Sequence, residues 1–186
     1  MSTHDRDIKL ITKALQGKES AFKELYDVYK RRLFLVCLRY MKERRDAEDS
    51  LQEGFVNIFR NLHQFDQERG QFESWAKRVV TNVCLEKLRK SSLYLVEVSH
   101  ANMIESKEID ILSKLSLKEM MELIQDLPVG YRTIFNMYVI DGYTHREIGE
   151  NLNISTNTSK TQLMKARLML QKRLTKKQRI FSINHG

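Results

Sequence analysis

Apolar residues along this chain recur mostly three and four apart, at helical spacing, and seldom alternate as they would in a strand. Ile8, Ile11 and Leu15, with Leu10 and Ala14, predict a short helix that stops at Gly17, a residue suited to the left-handed turn after a helix. Ser20 is placed to cap a second helix, whose stripe is Phe22, Leu25, Tyr26, Tyr29, Leu33, Cys37 and Tyr40. Asp46 is placed to cap a third, with Leu51, Phe55, Ile58, Phe59 and Leu62. The polar stretch 63–71 reads as a loop. A fourth helix follows, carrying Phe72, Trp75, Ala76, Val79, Val80, Val83 and Leu88. Four such helices can bury one shared core as a bundle.

From Ser91 to about Ser113 the periodicity lapses and acidic residues outnumber basic ones, which predicts a linker over 92–113. Its apolar residues, Leu93, Tyr94, Leu95, Val96 and Val98, leave open that it packs on something. Leu117, Met120, Met121 and Ile124 then form a stripe ended by Leu127-Pro128. Pro128 suits the first turn of the next helix, which holds Ile134, Phe135, Tyr138 and Val139 and stops at Gly142. Thr144-His-Arg-Glu147 is a capping box that opens a short helix with Ile148 and Leu152. Asn153 and Ile154 turn the chain, and Ser155 caps a long last helix with Leu163, Ala166, Leu170 and Leu174. After Leu174 the chain reads as either helix or disorder. The expected fold is all-α, with a four-helix N-terminal domain over 1–91 and a smaller C-terminal helical domain over 114–186.

Charge changes this picture. The net charge is +8, from 32 Lys and Arg against 24 Asp and Glu. Residues 155–186 hold Lys160, Lys165, Arg167, Lys172, Arg173, Lys176, Lys177 and Arg179 and no acidic residue, so residues 1–154 balance at 24 of each sign. A one-signed terminal segment attracts a polyanion, nucleic acid before an anionic membrane face. Within the balanced part, Arg31, Arg32, Arg39, Lys42, Arg44 and Arg45 cluster, as do Lys77, Arg78, Lys87, Arg89 and Lys90, with acidic Asp46, Glu48, Asp49 and Glu53 between them. Such patches are either solvated helix faces or docking surfaces for partners of different kinds.

The segment Thr144–Arg167 carries the strongest local signal. A short capped helix, a tight turn and a basic helix make a helix-turn-helix. The start of its second helix, Thr156-Asn-Thr-Ser-Lys160-Thr-Gln162, is rich in short donors and acceptors that reach base edges in a major groove. The later Lys165, Arg167, Lys172 and Arg173 suit phosphates. A second signal is Phe72–Lys90, apolar on one face, with Lys77, Arg78, Thr81, Asn82 and Arg89 on the other. Phe65 and Asp66 in the preceding loop could hold an unstacked base beside it. The spacing of Trp75 suits the core as well as that face.

Three blocks together resemble the bacterial sigma-70 family of RNA polymerase sigma factors, in its extracytoplasmic-function class. They are Arg45-Asp-Ala-Glu-Asp49-Ser-Leu-Gln-Glu53-Gly-Phe55, then Phe72-Glu-Ser-Trp75 through Asn82 to Leu88-Arg-Lys90, then Leu127-Pro128, Arg132, Phe135 and Gly142-Tyr-Thr-His-Arg-Glu147-Ile-Gly-Glu150 with Ile154-Ser through Ala166-Arg167. Their order and spacing match the family over roughly residues 20–175. The resemblance implies a region 2-like bundle and a region 4-like helix-turn-helix, and no counterpart of the middle domain of larger sigma factors.

It also implies roles. Asp46, Asp49, Gln52, Glu53 and Phe55 would meet the β′ clamp helices of the RNA polymerase core. Phe65, Asp66, Trp75, Lys77, Arg78, Thr81, Asn82 and Arg89 would meet the −10 promoter element, the loop 65–71 pocketing a flipped base. Thr156, Asn157, Thr158, Ser159, Lys160, Gln162, Lys165 and Arg167 would meet the −35 element, with the β flap as a further polymerase contact. The acidic linker would follow the RNA exit path. An anti-sigma factor would hold the protein inactive. Two departures bear on specificity. Many family members carry Gly at the position of Asn157 and Val at that of Ser159, and primary sigma factors place paired aromatics at Arg78-Val79. The first alters −35 preference, and the second implies weaker intrinsic melting.

Other classes fit less. There is no Gly-rich phosphate loop, no HExxH and no Cys/His metal spacing, and the five His stand apart at 4, 63, 100, 145 and 185. The expectation is therefore no catalysis, no cofactor and no metal. The N-terminus has no apolar signal-peptide core, and no run approaches ~18 apolar residues, so a cytoplasmic protein without membrane insertion is expected. Cys37 and Cys84 sit in apolar stretches and read as buried thiols. A stand-alone helix-turn-helix regulator would account for 114–180 but not for the block 46–55.

Overall fold

The computed structural model describes residues 3–90 and 116–184, with the side chains of 117 and 176–184 left aside. The linker expected over 92–113 lies outside the described residues. The chain divides into two compact units, Met1–Lys90 and Ser91–Gly186.

In the first unit, α1 (Thr3–Leu15) packs on α2 (Glu19–Tyr40), and α2, α3 (Arg44–Arg60) and α4 (Phe72–Lys90) pack on one another. Gly17, at φ +81°, ends α1 as its sequence position predicts, its amide bonded to Ala14 O and the Lys18 amide to Lys13 O. The buried stripe of α1 is Leu10, Ile11 and Ala14 with Asp7, whereas Leu15 is exposed. Ser20 and Asp46 are not caps. Helices α2 and α3 begin earlier, behind Lys18 and Glu43, neither of which makes a side-chain cap bond. On α2 the interior residues are Ala21, Leu25, Tyr29, Leu33, Val36, Cys37 and Tyr40, close to the expected stripe. Tyr26 falls at its edge, where it pairs with Phe55. Helices α3 and α4 approach closely at Gly54, where a Cβ would stand 2.8 Å from Val80 Cγ2. Cys37 and Cys84 are buried free thiols. The hydrogen-bonded Cys37, and after it burial, holds the Cys84 thiol well above its usual range.

In the second unit, α5 (Leu117–Gln125), α6 (Val129–Phe135) and α7 (His145–Leu152) all pack on α8 (Thr156–Asn184). α5 opens with a capping box of Ser116 and Glu119. Its interior residues are Leu123 and Ile124, while Met120 and Met121 stay half-buried. Pro128 stands just before α6 as its N-cap. The buried Arg132 donates through Nη1 to Gln125 O at 3.0 Å and to Leu127 O at 3.5 Å, closing the end of α5. α6 does not run on as an α-helix to Gly142. It passes into a π turn, Asn136–Ile140. The extra residue rotates the pattern, burying Met137 and exposing Tyr138, Val139 and Ile140. The stripe Leu163, Ala166, Leu170 and Leu174 of α8 is buried as expected. The helix continues to Asn184.

Candidate functional site

The helix-turn-helix is built by short local interactions. Thr144 Oγ1 accepts from the Glu147 amide, and Glu147 Oε2 accepts from the Thr144 amide at 2.8 Å, so both donors at the start of α7 are satisfied. Asn153 takes the left-handed conformation at φ 54° and turns the chain. Gly149 makes this turn possible, since a Cβ there would lie 2.8 Å from Ile154 O. Ser155 Oγ accepts from the Thr158 amide at 3.0 Å and starts α8. Ile148, Leu152 and Leu163 are buried between the two helices, and Ile154 is half-buried.

The first turns of α8 present Thr156, Asn157 and Lys160 to solvent, with Gln162, Lys165 and Arg167 half-buried farther along. The Thr158 hydroxyl is held by Ser155 Oγ at 2.8 Å. Ser159 is corrected as a reading residue. It is fully buried, and its Oγ lies 2.9 Å from His145 Nδ1, so it cannot reach a base edge.

In the first unit, Asp49, Gln52, Glu53 and Val56 recur at i, i+3, i+4 and i+7 on α3, all exposed, and Asp46 is exposed a turn earlier. Phe55 is corrected as a surface contact. Only 5% exposed, it packs against Tyr26 at 4.6 Å and Phe59 at 5.6 Å between ring centroids. Val56 and Tyr26 are the exposed apolar residues there. Sequence reasoning missed them because helical spacing alone does not tell a stripe's centre from its edge. Glu53 reaches Lys87 of α4 at 3.5 Å.

On α4, Arg78, Asn82 and Arg89 face solvent, whereas Thr81 is 1% exposed and belongs to the core, a second correction to the reading face. Lys77 and Arg32 converge on Glu73, at 2.8 and 2.5 Å. Burial works against the Glu73 carboxylate, but the pull of these two cations outweighs it and holds its pKa below the usual range. Phe65, Phe72 and Trp75 form one aromatic cluster, with centroids 5.5 to 5.8 Å apart, so Trp75 is half-buried, partly core and partly surface. Asp66 accepts from the Glu68 amide and shapes the loop, which carries two short 3-10 turns, Leu62–Gln64 and Gln67–Arg69. A groove of about 440 Å³ runs beside it, lined by Ile8, Ile11 and Thr12 of α1 on one side and by residues 63–68 on the other. The part played by α1 was not legible, because its contact with the loop is long-range.

Among the described residues, no group of three or more His, Cys, Asp or Glu side chains could hold a metal ion. No helix among them is long and apolar enough to cross a membrane.

Two helical units in this order agree with the family comparisons. Residues 25–93 match the model for sigma-70 region 2, and residues 117–170 match that for sigma-70 region 4. The chain belongs to the sigma-70 family. It is 31% identical over 179 residues to the ECF RNA polymerase sigma factor SigW of Bacillus subtilis (strain 168), covering 89% of this chain and 95% of that one. It is 26% identical over 161 residues to SigM of the same organism, an ECF sigma factor as well, covering 80% and 91%. Within the family it falls in the extracytoplasmic-function group, and its function is that of a sigma factor in transcription initiation. Among solved structures, the sigma factor RpoE in complex with the anti-sigma factor NepR, from Bartonella quintana, shares the fold. Its TM-score is 0.52 at 15% identity, over 83% of this chain and 96% of that one. CnrH in complex with the cytosolic domain of CnrY does so at 0.51 and 21%, over 91% and 97%.

Proposed function

We propose that this protein is the promoter-reading subunit of a bacterial RNA polymerase holoenzyme. It acts in the cytoplasm and leaves the polymerisation chemistry to the core enzyme. Residues 1–91 form the domain that binds core polymerase and the −10 element, 92–113 the linker, and 114–186 the domain that binds the −35 element. The α3 face of Asp46, Asp49, Gln52 and Glu53, extended by Val56 and Tyr26, docks on the β′ clamp helices. Arg78, Asn82 and Arg89 of α4, with Lys77 and Trp75, meet the −10 element, and the groove beside Phe65 and Asp66 takes an unstacked base. Thr156, Asn157, Lys160 and Gln162 enter the major groove at −35, Lys165 and Arg167 hold phosphates, and the same domain contacts the β flap.

The observation that carries this reading is the first unit's two differently charged faces, an acidic and apolar one on α3 and a cationic one on α4. A regulator that only bound DNA would have no use for the first. Relatives that bear the sigma-factor name, and a neighbour of the same fold bound to an anti-sigma factor, support a protein partner that holds this chain inactive. The test is run-off transcription of fragmented genomic DNA by sigma-free core polymerase with and without the protein. Defined starts that need the protein are expected, and their alignment gives both promoter elements. Tight DNA binding by the protein alone without new starts would replace this reading with a stand-alone regulator. A pulldown that recovers no inhibitory protein would remove the anti-sigma partner.

A further inference from the structure

A side-chain hydrogen bond that helix capping does not require joins the two helices of the helix-turn-helix. Ser159 lies in the first turn of α8, directly before Lys160, and is fully buried. A buried hydroxyl needs a partner, and here it is Nδ1 of His145, at 2.9 Å, on the first residue of α7. The imidazole is itself oriented. It stacks on Tyr138, with ring centroids 4.3 Å apart and planes 23° apart. Tyr138 is in place to do so because the π turn Asn136–Ile140 rotates it out of the core. A chain of contacts therefore runs from the π turn through Tyr138 and His145 to Ser159.

We propose that His145 is a positioning residue for promoter reading. Its hydrogen bond to Ser159 fixes the roll of the first turn of α8, and with it the direction in which Thr156, Asn157 and Lys160 leave the helix. This rests on the reading of α8 as the −35 helix. His145 need not touch DNA. It acts through Ser159, which turns inward from the same helical turn that carries the reading residues outward. An apolar residue at 159 would leave that turn held by packing alone, which tolerates small rolls; a directional hydrogen bond does not.

The full-length protein, with core polymerase, tests this on a promoter recovered by the run-off experiment. Transcription from that promoter is compared with transcription from the same promoter carrying a scrambled −35 element. His145→Asn keeps a polar atom at the position of Nδ1 and loses the ring, whereas His145→Phe keeps the ring and loses the bond. The expected result is that His145→Phe and Ser159→Ala each lower the ratio about three- to tenfold, the range set by one hydrogen bond. His145→Asn stays near wild type, and the double variant H145F/S159A falls no further than either single change. If His145→Asn falls while His145→Phe does not, the ring acts by packing and the proposal is overturned. If all variants keep the wild-type ratio, it is overturned as well. A wild-type ratio near one would instead remove the −35 reading, and the proposal with it. Should a variant fold poorly, the 15N shift of His145 Nδ1 in the full chain is followed with and without Ser159→Ala. No change would also overturn the assignment.

Discussion

At the scale of single residues, two glycines differ in what surrounds them, and that difference sets their sensitivity. A Cβ on Gly149 would meet the Ile154 carbonyl, backbone that the left-handed turn at Asn153 holds in place. A Cβ on Gly54 would meet Val80 Cγ2 at the same 2.8 Å, and a side-chain methyl yields more readily than a carbonyl. We predict that Gly149→Ala costs about 2–3 kcal/mol and Gly54→Ala about 1 kcal/mol, within the usual range for overpacking. Urea unfolding of each variant measures both, and the reverse order would show that the turn yields more easily than the α3–α4 contact. His145 gives a pH dependence. Partial burial, followed by repulsion from Lys160 and Arg167, lowers its pKa below 6.5. As pH falls through about 6.5 the unfolded chain therefore takes up this proton first, and the second unit loses stability until the folded His145 protonates too. Above 6.5 the residue contributes no slope. Thermal midpoints of wild type and His145→Asn should diverge in this sense between pH 7.5 and 5. Parallel curves would show that neither burial nor the two cations lowers the pKa of the folded His145.

At the scale of elements, much of the fold was legible because it follows from local rules. The helix-turn-helix was readable from Thr144, Glu147 and Ser155, since a capping box and a hydroxyl cap are satisfied within three residues. The helical stretches of the first unit were readable from apolar spacing. Their starts were not. α2 and α3 begin behind Lys18 and Glu43 without side-chain caps, so Ser20 and Asp46, good caps by type, fall inside the helices. The π turn was not legible either, because one added residue changes which of Met137, Tyr138 and Val139 faces inward without changing the composition. Of the candidate site residues, Phe55, Thr81 and Ser159 proved to face inward. Phe55 stands between Leu51 and Ile58 on the apolar stripe and Ser159 four residues before Leu163, so helical spacing itself turns both inward, against the roles the resemblance implies; Thr81, beside Val80, is placed inward by packing. The same locality makes the α7 cap testable. Thr144→Ala removes a hydroxyl that accepts from the Glu147 amide and contacts Glu147 Oε2 at 2.8 Å. A loss of about 1 kcal/mol in the unfolding of this unit is expected. No measurable loss would mean that tertiary packing alone fixes the start of α7.

At the scale of the whole molecule, charge separates a general from a specific contribution to DNA binding. The excess of +8 lies in residues 155–186, on the helix that also carries the proposed −35 reading residues. Its cations do not have equal roles. Lys160 is exposed in the first turns, beside Thr156 and Asn157, whereas Lys172 is exposed three turns later, next to Arg173, which reaches Asp126 at 3.5 Å. Each cation that neutralises a phosphate releases counterions, so the logarithm of affinity falls with the logarithm of salt by roughly 0.9 for each such contact. For holoenzyme on its own promoter, Lys172→Ala should reduce this slope by about one and weaken matched and scrambled −35 sequences alike. Lys160→Ala should lower the ratio between the two sequences, whatever it does to the slope. The combination matters because the slope counts phosphates and the ratio counts bases. If Lys172→Ala changed the ratio and Lys160→Ala only the slope, base reading would lie farther along α8 than its first turns, and the direction in which Thr156, Asn157 and Lys160 leave the helix would not set the choice of promoter.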